Sequence, residues 1–302
     1  MISVVIPTHN RADLLERAVK SVKEQTIRDL EIIVISDGST DDTDLVVNKM
    51  MEQDDRIHFI TYKTPQGANT ARNKGIEAAS HDYIAFLDDD DEWLPTKLEK
   101  QLNVFQSNKD IGLVYTGSNL IYVHEETAYD NIPSESGDLA HKILFKNSIG
   151  TTSTVMVKKE ILEKSGYFDT ELAALQDYDL WIRVSQLTQI GVVEEPCINY
   201  YNYTGKKQIS QQTSKYISAI EYIENKHREL FSTLSEKETK VRKSNFYMLL
   251  ANKAMRNNSK KEAVRFSVKA FSLKPAVKGS AFIVLSLFKY KTVLKFRKKL
   301  KA

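Results

Sequence analysis

The first ninety residues alternate short, almost wholly apolar runs with stretches of helical spacing, and that alternation leaves few folds open. Ser3-Val4-Val5-Ile6-Pro7, Glu31-Ile32-Ile33-Val34-Ile35-Ser36, residues 57–62 and Tyr83-Ile84-Ala85-Phe86-Leu87 read as strands. Runs with no polar face suit strands buried on both sides. Between them, helical spacing covers residues 12–25, with Leu14, Leu15, Ala18, Val19 and Val22 on one side, and residues 44–52 and 68–79. Strand and helix in alternation imply an α/β fold, a mixed but mainly parallel sheet flanked by helices.

Beyond Pro95 the regularity loosens. A helix is expected over 97–106, one or two strands over 112–123, a polar loop over 125–137, a strand over 152–157, and helices over 158–165 and 177–186. Residues 192–196 and 198–203 close the sheet-like part. From Thr213 onward the pattern is helical, including an antiparallel pair over 247–251 and 263–275 that a single repeat would pack against the main domain. The expected division is a domain over 1–208 and an all-helical C-terminal region over 209–302.

In a parallel sheet, ligands bind outside the carboxyl ends of the strands. Thr8-His9-Asn10-Arg11 follow the first strand, Asp37 follows the second, and Asp88-Asp89-Asp90-Asp91 follow the fourth. Clustered carboxylates at a strand end repel one another unless a cation neutralises them, and a divalent metal does so best. The bland alternative is a solvated acidic loop. Against it, no turn residue separates the run from its strand, and Trp93 returns at once. Arg11 and Arg72 nearby require a ligand with negative charge of its own, and a nucleoside diphosphate with Mg²⁺ or Mn²⁺ satisfies both signs.

Five segments together resemble a known family. Ser3 to Arg11, Ser36-Asp37-Gly38-Ser39-Thr40-Asp41, Ala71-Arg72-Asn73-Lys74-Gly75, Phe86 to Asp91 and Gln176-Asp177-Tyr178-Asp179-Leu180-Trp181 look like the successive signatures of family 2 glycosyltransferases with the GT-A fold, of the bacterial surface-polysaccharide type. The resemblance covers about residues 1–205. It implies an inverting, metal-dependent enzyme moving a sugar from a nucleotide-sugar, a UDP-sugar by preference, onto a surface polysaccharide or lipid-linked glycan.

The resemblance also implies roles. Pro7, Thr8, Asn10 and Arg11 line the nucleotide pocket, Asp37 accepts from uracil N3–H, and Arg72 faces the diphosphate, where a planar guanidinium bridges oxygens. Asp88 and Asp90 form the DxD element: Asp90 ligates the metal, Asp88 reaches the ribose or the metal shell, Asp89 lies on the nucleotide side between them, and Asp91 contacts the donor sugar. Asp177 is the base that takes the acceptor hydroxyl's proton. Singly, each has a plainer reading: Pro7 ends a strand, Asp37 to Thr40 make a turn, Arg72 sits on a helix surface, and Asp177 caps a helix. Two departures stand out: Gln176 replaces a common Glu, and Tyr203 stands where many relatives carry a His able to join the metal shell.

Charge is unevenly spread. After Glu262 there is no acidic residue and there are eleven Lys and Arg, whereas the first 262 residues carry 32 basic and 40 acidic side chains. Residues 281–288 are apolar but too few to span a bilayer. The following stretch to Lys301 interleaves apolar residues with seven cations, a pattern that suits either an amphipathic helix on an anionic membrane surface or one packed on the domain with its basic face solvated. Nucleic acid is a poorer partner, given the acidic body. One cysteine, Cys197, and no signal-like segment at Met1 point to a cytoplasmic protein, peripheral on the inner face of the membrane. Two other functions stay open. An inactive membrane-bound partner of a transferase would fit the same chain, and a nucleotidyltransferase would show a Gly-rich, Lys-bearing loop where Thr8 to Arg11 stand.

Overall fold

The computed structural model describes residues 1–203, 213–275 and 277–301. Strands β1 (Ile2–Thr8), β2 (Leu30–Asp37), β3 (Ile57–Tyr62) and β4 (Tyr83–Phe86) are parallel and lie in the order β3-β2-β1-β4. Every residue of β1 and β2 is buried, whereas in β3, at the edge, only Ile57 is. Helices α1 (Ala12–Lys23), α2 (Thr43–Met51) and α3 (Ala68–Ala78) are the crossovers. Leu15, Ala18, Val19 and Val22 of α1 pack on Ile2, Val4 and Ile6. On the opposite face Ala71 and Ile76 of α3 pack on Val5, Ile33 and Ile35. Successive side chains of a strand point to opposite faces, so one apolar run feeds two cores.

Gly75 sets how closely α3 approaches the sheet. A Cβ there would collide with Val5 Cγ1 and stand 2.9 Å from Ile35 Cδ1. Any larger residue would lift α3, and Arg72 with it, away from the ends of β1 and β4.

The second half adds β5 (Glu92–Trp93), α4 (Lys97–Ser107), β6 (Ile111–Tyr122), β7 (Thr127–Asn131), β8 (Val155–Lys158), α5 (Lys159–Ser165), α6 (Gln176–Ser185) and β9 (Gln189–Asn202). The sheet continues from β4 through β8, β6 and β9 to β5, with β8 antiparallel to both neighbours and β6 parallel to β9. The strands of the described residues thus form one mixed sheet, as expected.

Three local expectations change. Residues 127–131 are not loop: β7 pairs antiparallel with Ser118 to Tyr122, and Tyr129 stacks on Tyr122 at 5.8 Å. Its polar composition suits an edge strand, which hydropathy cannot tell from a loop. Residues 189–202 form one strand rather than two, running through Pro196 because a register shift opposite Gly117 falls there, where the missing N–H matters least. Residues 152–154 make a 3₁₀ turn before β8 instead of joining it.

The described residues from 213 on form α7 (Thr213–Lys226), α8 (Arg228–Ser232), α9 (Glu236–Arg256), α10 (Lys260–Leu273), α11 (Val277–Leu285) and α12 (Tyr290–Lys301). A capping box between Ser235 and Glu238 starts α9. Tyr216, Ile223, Phe246 and Leu250 share one apolar core with Ile143, Tyr178 and Trp181, so the helices pack directly on the sheet-bearing part. The boundary expected at residue 208 lies outside the described residues. A polar lock joins α6 to α7 and α8: buried Asp179 lies 2.7 Å from Arg183, 3.0 Å from Lys226 and 2.8 Å from His227 Nε2. Although burial pushes the Asp179 carboxyl up, His227, Arg183 and Lys226 together hold it well below the usual range.

Candidate active site

The carboxyl ends of β1, β2 and β4 open onto a cavity of about 640 Å³, within the range of ligand sites. Its wall carries Pro7, Thr8, Arg11, Asp37, Arg72, Asp88, Asp89, Asp90 and Asp177. Nine of the eleven residues singled out from sequence therefore meet in one place; Asn10 and Asp91 do not line it.

The four aspartates divide by burial. Asp88 and Asp90 are half-buried at the cavity, whereas Asp89 is 4% and Asp91 1% exposed. Asp88 accepts from Arg72 Nη2 at 2.6 Å and lies 3.2 Å from Thr152 Oγ1. Asp89 accepts from Thr8 Oγ1 and Arg11 Nη1, both at 2.7 Å, and the same Nη1 reaches Asp90 at 3.1 Å. Asp91 faces inward, accepting from Ser153 Oγ at 2.6 Å, while Ser153 Oγ itself accepts the Asp88 N–H at 3.1 Å. Asp91 holds the turn and presents no surface to a sugar in the cavity, contrary to expectation.

Burial, reinforced by Asp89, pushes the Asp90 carboxyl up to about 6, with Arg11 opposing. Burial and then Asp90 and Asp88 raise Asp91 well above the usual range. Carboxylates held up in this way gain most from an added cation. Among the described residues no three His, Cys, Asp or Glu gather into a metal cluster. Two carboxylates are nonetheless the donor set with which Mg²⁺ is commonly held, substrate phosphates and water supplying the rest. Asp88 and Asp90 fit such an ion.

Arg72 is 5% exposed, yet its Nε and Nη1 have no hydrogen-bond partner among the described residues. Buried donors without partners are rare, and here they belong to a cation lining a cavity. At the end of β2, Asp37 accepts the N–H groups of Gln66 at 2.7 Å and Gly67 at 2.8 Å, fixing the loop into α3, while His9 Nδ1 lies 2.6 Å from the Asp37 carbonyl. Asn10 is exposed in the left-handed region (φ 52°), and its Oδ1 accepts the N–H groups of Thr40 at 2.7 Å and Asp41 at 3.3 Å. Its place is beside the pocket, tying down the loop after β2.

Asp177 enters from the other side. Leu175, also left-handed at φ 57°, turns the chain into α6 so that Gln176 and Asp177 reach the cavity. The helix begins at Gln176, so Asp177 lies in its first turn instead of capping it. Its carboxylate accepts the Tyr178 N–H at 2.7 Å and Asn147 Nδ2 at 3.3 Å. Burial pushes the group up to about 6, opposed by the Tyr178 amide and Arg72. Its carboxyl, which has no ion-pair partner within 4.0 Å among the described residues, therefore sits where it can take up a proton near neutral pH.

Sequence reasoning placed His9 at the strand end without giving it a role, and it missed Thr152, Asn147 and the whole far wall, where Tyr216 of α7 and Phe246, Leu249 and Lys253 of α9 stand near Asp177. The hydroxyl run Thr151-Thr152-Ser153-Thr154 was a usable signal for Thr152. Lys253, one lysine among many in a helical stretch, offered none.

Residues 3–166 match the family described as glycosyl transferase family 2. The chain belongs to that family. Among its relatives, the putative teichuronic acid biosynthesis glycosyltransferase TuaG of Bacillus subtilis (strain 168) is 36% identical over 160 residues, 53% of this chain and 63% of its own. S. aureus TarS 1–349 in complex with UDP-GlcNAc superposes with a TM-score of 0.58 at 16% identity, covering 95% of this chain and 79% of that one. The mannosyltransferase PcManGT from Pyrobaculum calidifontis, in complex with GDP-Man and Mn²⁺, gives 0.59 at 16%, covering 99% and 84%. At such identity the likeness establishes the fold, which is GT-A. This chain is a family 2 glycosyltransferase whose structural neighbours bind nucleotide-sugars.

Proposed function

We propose that this family 2 protein is an inverting, metal-dependent enzyme that moves a sugar from a UDP-sugar to a hydroxyl of a surface polysaccharide or lipid-linked glycan. The observation that carries the reading is one cavity with two chemically distinct sides: Arg72, Asp88 and Asp90 on one, and the unpaired, raised carboxylate of Asp177 on the other. In the reaction the acceptor oxygen bonds to the anomeric carbon as that carbon's bond to the diphosphate oxygen breaks. The hydroxyl proton passes to Asp177, the bonding pair leaves with the nucleotide, and attack opposite the leaving group inverts the centre.

On the donor side, the free donors of Arg72 are available to the diphosphate, and Asp37 keeps lone pairs for uracil N3–H after its two backbone bonds. Pro7, Thr8 and Arg11 complete the nucleotide wall, with Asp89 orienting Thr8 and Arg11. Asp88 and Asp90 would hold Mn²⁺ or Mg²⁺, whose charge stabilises the leaving diphosphate. Support comes from TarS with UDP-GlcNAc, PcManGT with GDP-Man and Mn²⁺, and the teichuronic acid assignment of TuaG. In this reading residues 1–208 are the transferase domain and 209–302 the C-terminal region, whose helices α7 and α9 contribute the far wall of the cavity.

The C-terminal end supports a peripheral place on the inner face of the membrane, by a different surface from that expected. Tyr290, Val293 and Leu294 of α12 are buried, with Tyr290 at 6.0 Å from Tyr122, so the helix packs one apolar side on the protein. Val284, Leu287, Phe288 and Phe296 stay exposed beside exposed Lys289, Lys291 and Lys295, a pairing suited to an anionic lipid surface. No helix among the described residues is long and apolar enough to cross a membrane.

The test is a panel of nucleotide-sugars titrated into the protein with and without Mn²⁺, followed by the configuration of the transferred sugar. A UDP-sugar should bind, EDTA should weaken it, and the product anomer should be inverted. No binding by any donor rejects the transferase reading, and retention rejects the single displacement. Leu287→Ser/Phe288→Ser should reduce sedimentation with anionic vesicles; unchanged sedimentation rejects the membrane surface.

A further inference from the structure

The far wall of the cavity holds a cation that the donor side does not use. Lys253, on α9, lines the cavity with its ammonium 4.5 Å from the centre of the Tyr216 ring, beside Phe246 and Leu249. Among the described residues the ammonium makes no hydrogen bond and no ion pair within 4.0 Å. Asp177 is the carboxylate close enough to draw its proton affinity upward. Burial and Arg256 outweigh that pull and bring Lys253 down to about 8. Asp88 to Asp91 have no such influence on it, so Lys253 belongs to the side of the base and not to that of the diphosphate.

A cation in a partly desolvated pocket, satisfied only by an aromatic face, is costly to keep unless an anion sometimes occupies the space beside it. The cavity holds no protein anion free for the task, since Asp177 must stay unpaired to take a proton. We propose that Lys253 anchors a negatively charged group on the acceptor, a phosphate or a sugar carboxylate next to the hydroxyl that is glycosylated. Such an anchor would orient that hydroxyl toward Asp177 and reject neutral acceptors, because an uncharged sugar would leave the ammonium unpaired. The helical region then takes part in choosing the acceptor. This inference rests on the glycosyltransferase reading given above.

The test uses the full chain with saturating UDP and Mg²⁺, so that the donor side is filled. Three probes are titrated: glucose 1-phosphate, glucuronic acid and methyl β-glucoside. At least one anionic probe should bind ten-fold or more tightly than the neutral one, and which of them does separates a phosphate from a carboxylate as the natural group. Lys253→Gln should abolish that preference while leaving UDP affinity within two-fold, and Lys253→Arg should restore it. Equal binding of all three probes overturns the proposal. So does a Lys253→Gln protein whose loss falls on UDP instead. Failure of the wild-type chain to bind UDP at the outset is a separate result and rejects the underlying transferase reading.

Discussion

Arg72 Nη2 lies 2.6 Å from Asp88 Oδ1, while Nε and Nη1 of the same guanidinium are buried with no hydrogen-bond partner among the described residues. Half of the fork is spent on holding Asp88 and half is left for a ligand. A lysine cannot divide itself in this way. Arg72→Lys should therefore weaken UDP binding by about ten- to a hundred-fold, the equivalent of one or two hydrogen bonds to a charged group. Calorimetric titration measures this; affinity equal to wild type would remove Arg72 from the diphosphate site.

Asp177→Asn keeps the shape of the residue and removes the base. Transfer should fall by about 10²- to 10⁴-fold with UDP affinity unchanged. Full transfer by this variant would assign the base elsewhere.

Asp177 is raised to about 6, and it is the ionised form that accepts a proton. With Asp177 as the base, activity should be present above pH 6 and decline as pH falls below it, the reverse of what a general acid would give. Asn147 donates to the ionised carboxylate, so Asn147→Ala should move the acid limb of kcat to higher pH. A profile flat from pH 5 to 8 at saturating metal would contradict the assignment.

Asp90 faces the cavity with a carboxyl lifted to about 6 by burial and Asp89. Asp90→Asn should abolish the gain in UDP affinity that Mn²⁺ confers while leaving metal-free binding little changed. A gain that survives in the variant would place the ion on other residues.

Asp179 ties α6 to α7 and α8 through Arg183, Lys226 and His227. Its carboxyl is depressed, so the stability it adds is present above the ordinary carboxylate range and is lost on acidification. Asp179→Asn leaves cations without their partner and should cost about 3–5 kcal/mol at neutral pH in chemical denaturation. A loss below 1 kcal/mol would show the lock to be ornamental.

The donor side was legible because it is local. Thr8, Arg11, Asp37 and the Asp88 to Asp90 run sit at the ends of apolar strands, and a parallel sheet brings such ends together wherever the strands lie in sequence. The alternation of apolar runs likewise fixed the four parallel strands, with ends shifted by a residue or so. Strand β7 was hidden because polar residues at a sheet edge carry no apolar signature.

Asn10 and Asp91 show the limit within a correctly read motif. Both belong to the expected signatures, but a left-handed backbone at Asn10 turns its side chain to Thr40 and Asp41, and the turn after β4 sends Asp91 to Ser153. A motif specifies which residues stand at a site; the backbone dihedrals decide which way each one points.

By itself, then, the sequence determined the four parallel strands, the sheet edge where their polar ends gather and the carboxylates that meet at the cavity, since periodicity and strand ends are properties of neighbouring residues. Only the tertiary structure decided that α7 and α9 form the far wall, that Lys253 stands there without an anion, and that Asp177 is desolvated enough to rise to about 6. Those outcomes depend on how distant segments exclude water from one another, and solvent exclusion has no counterpart in local sequence.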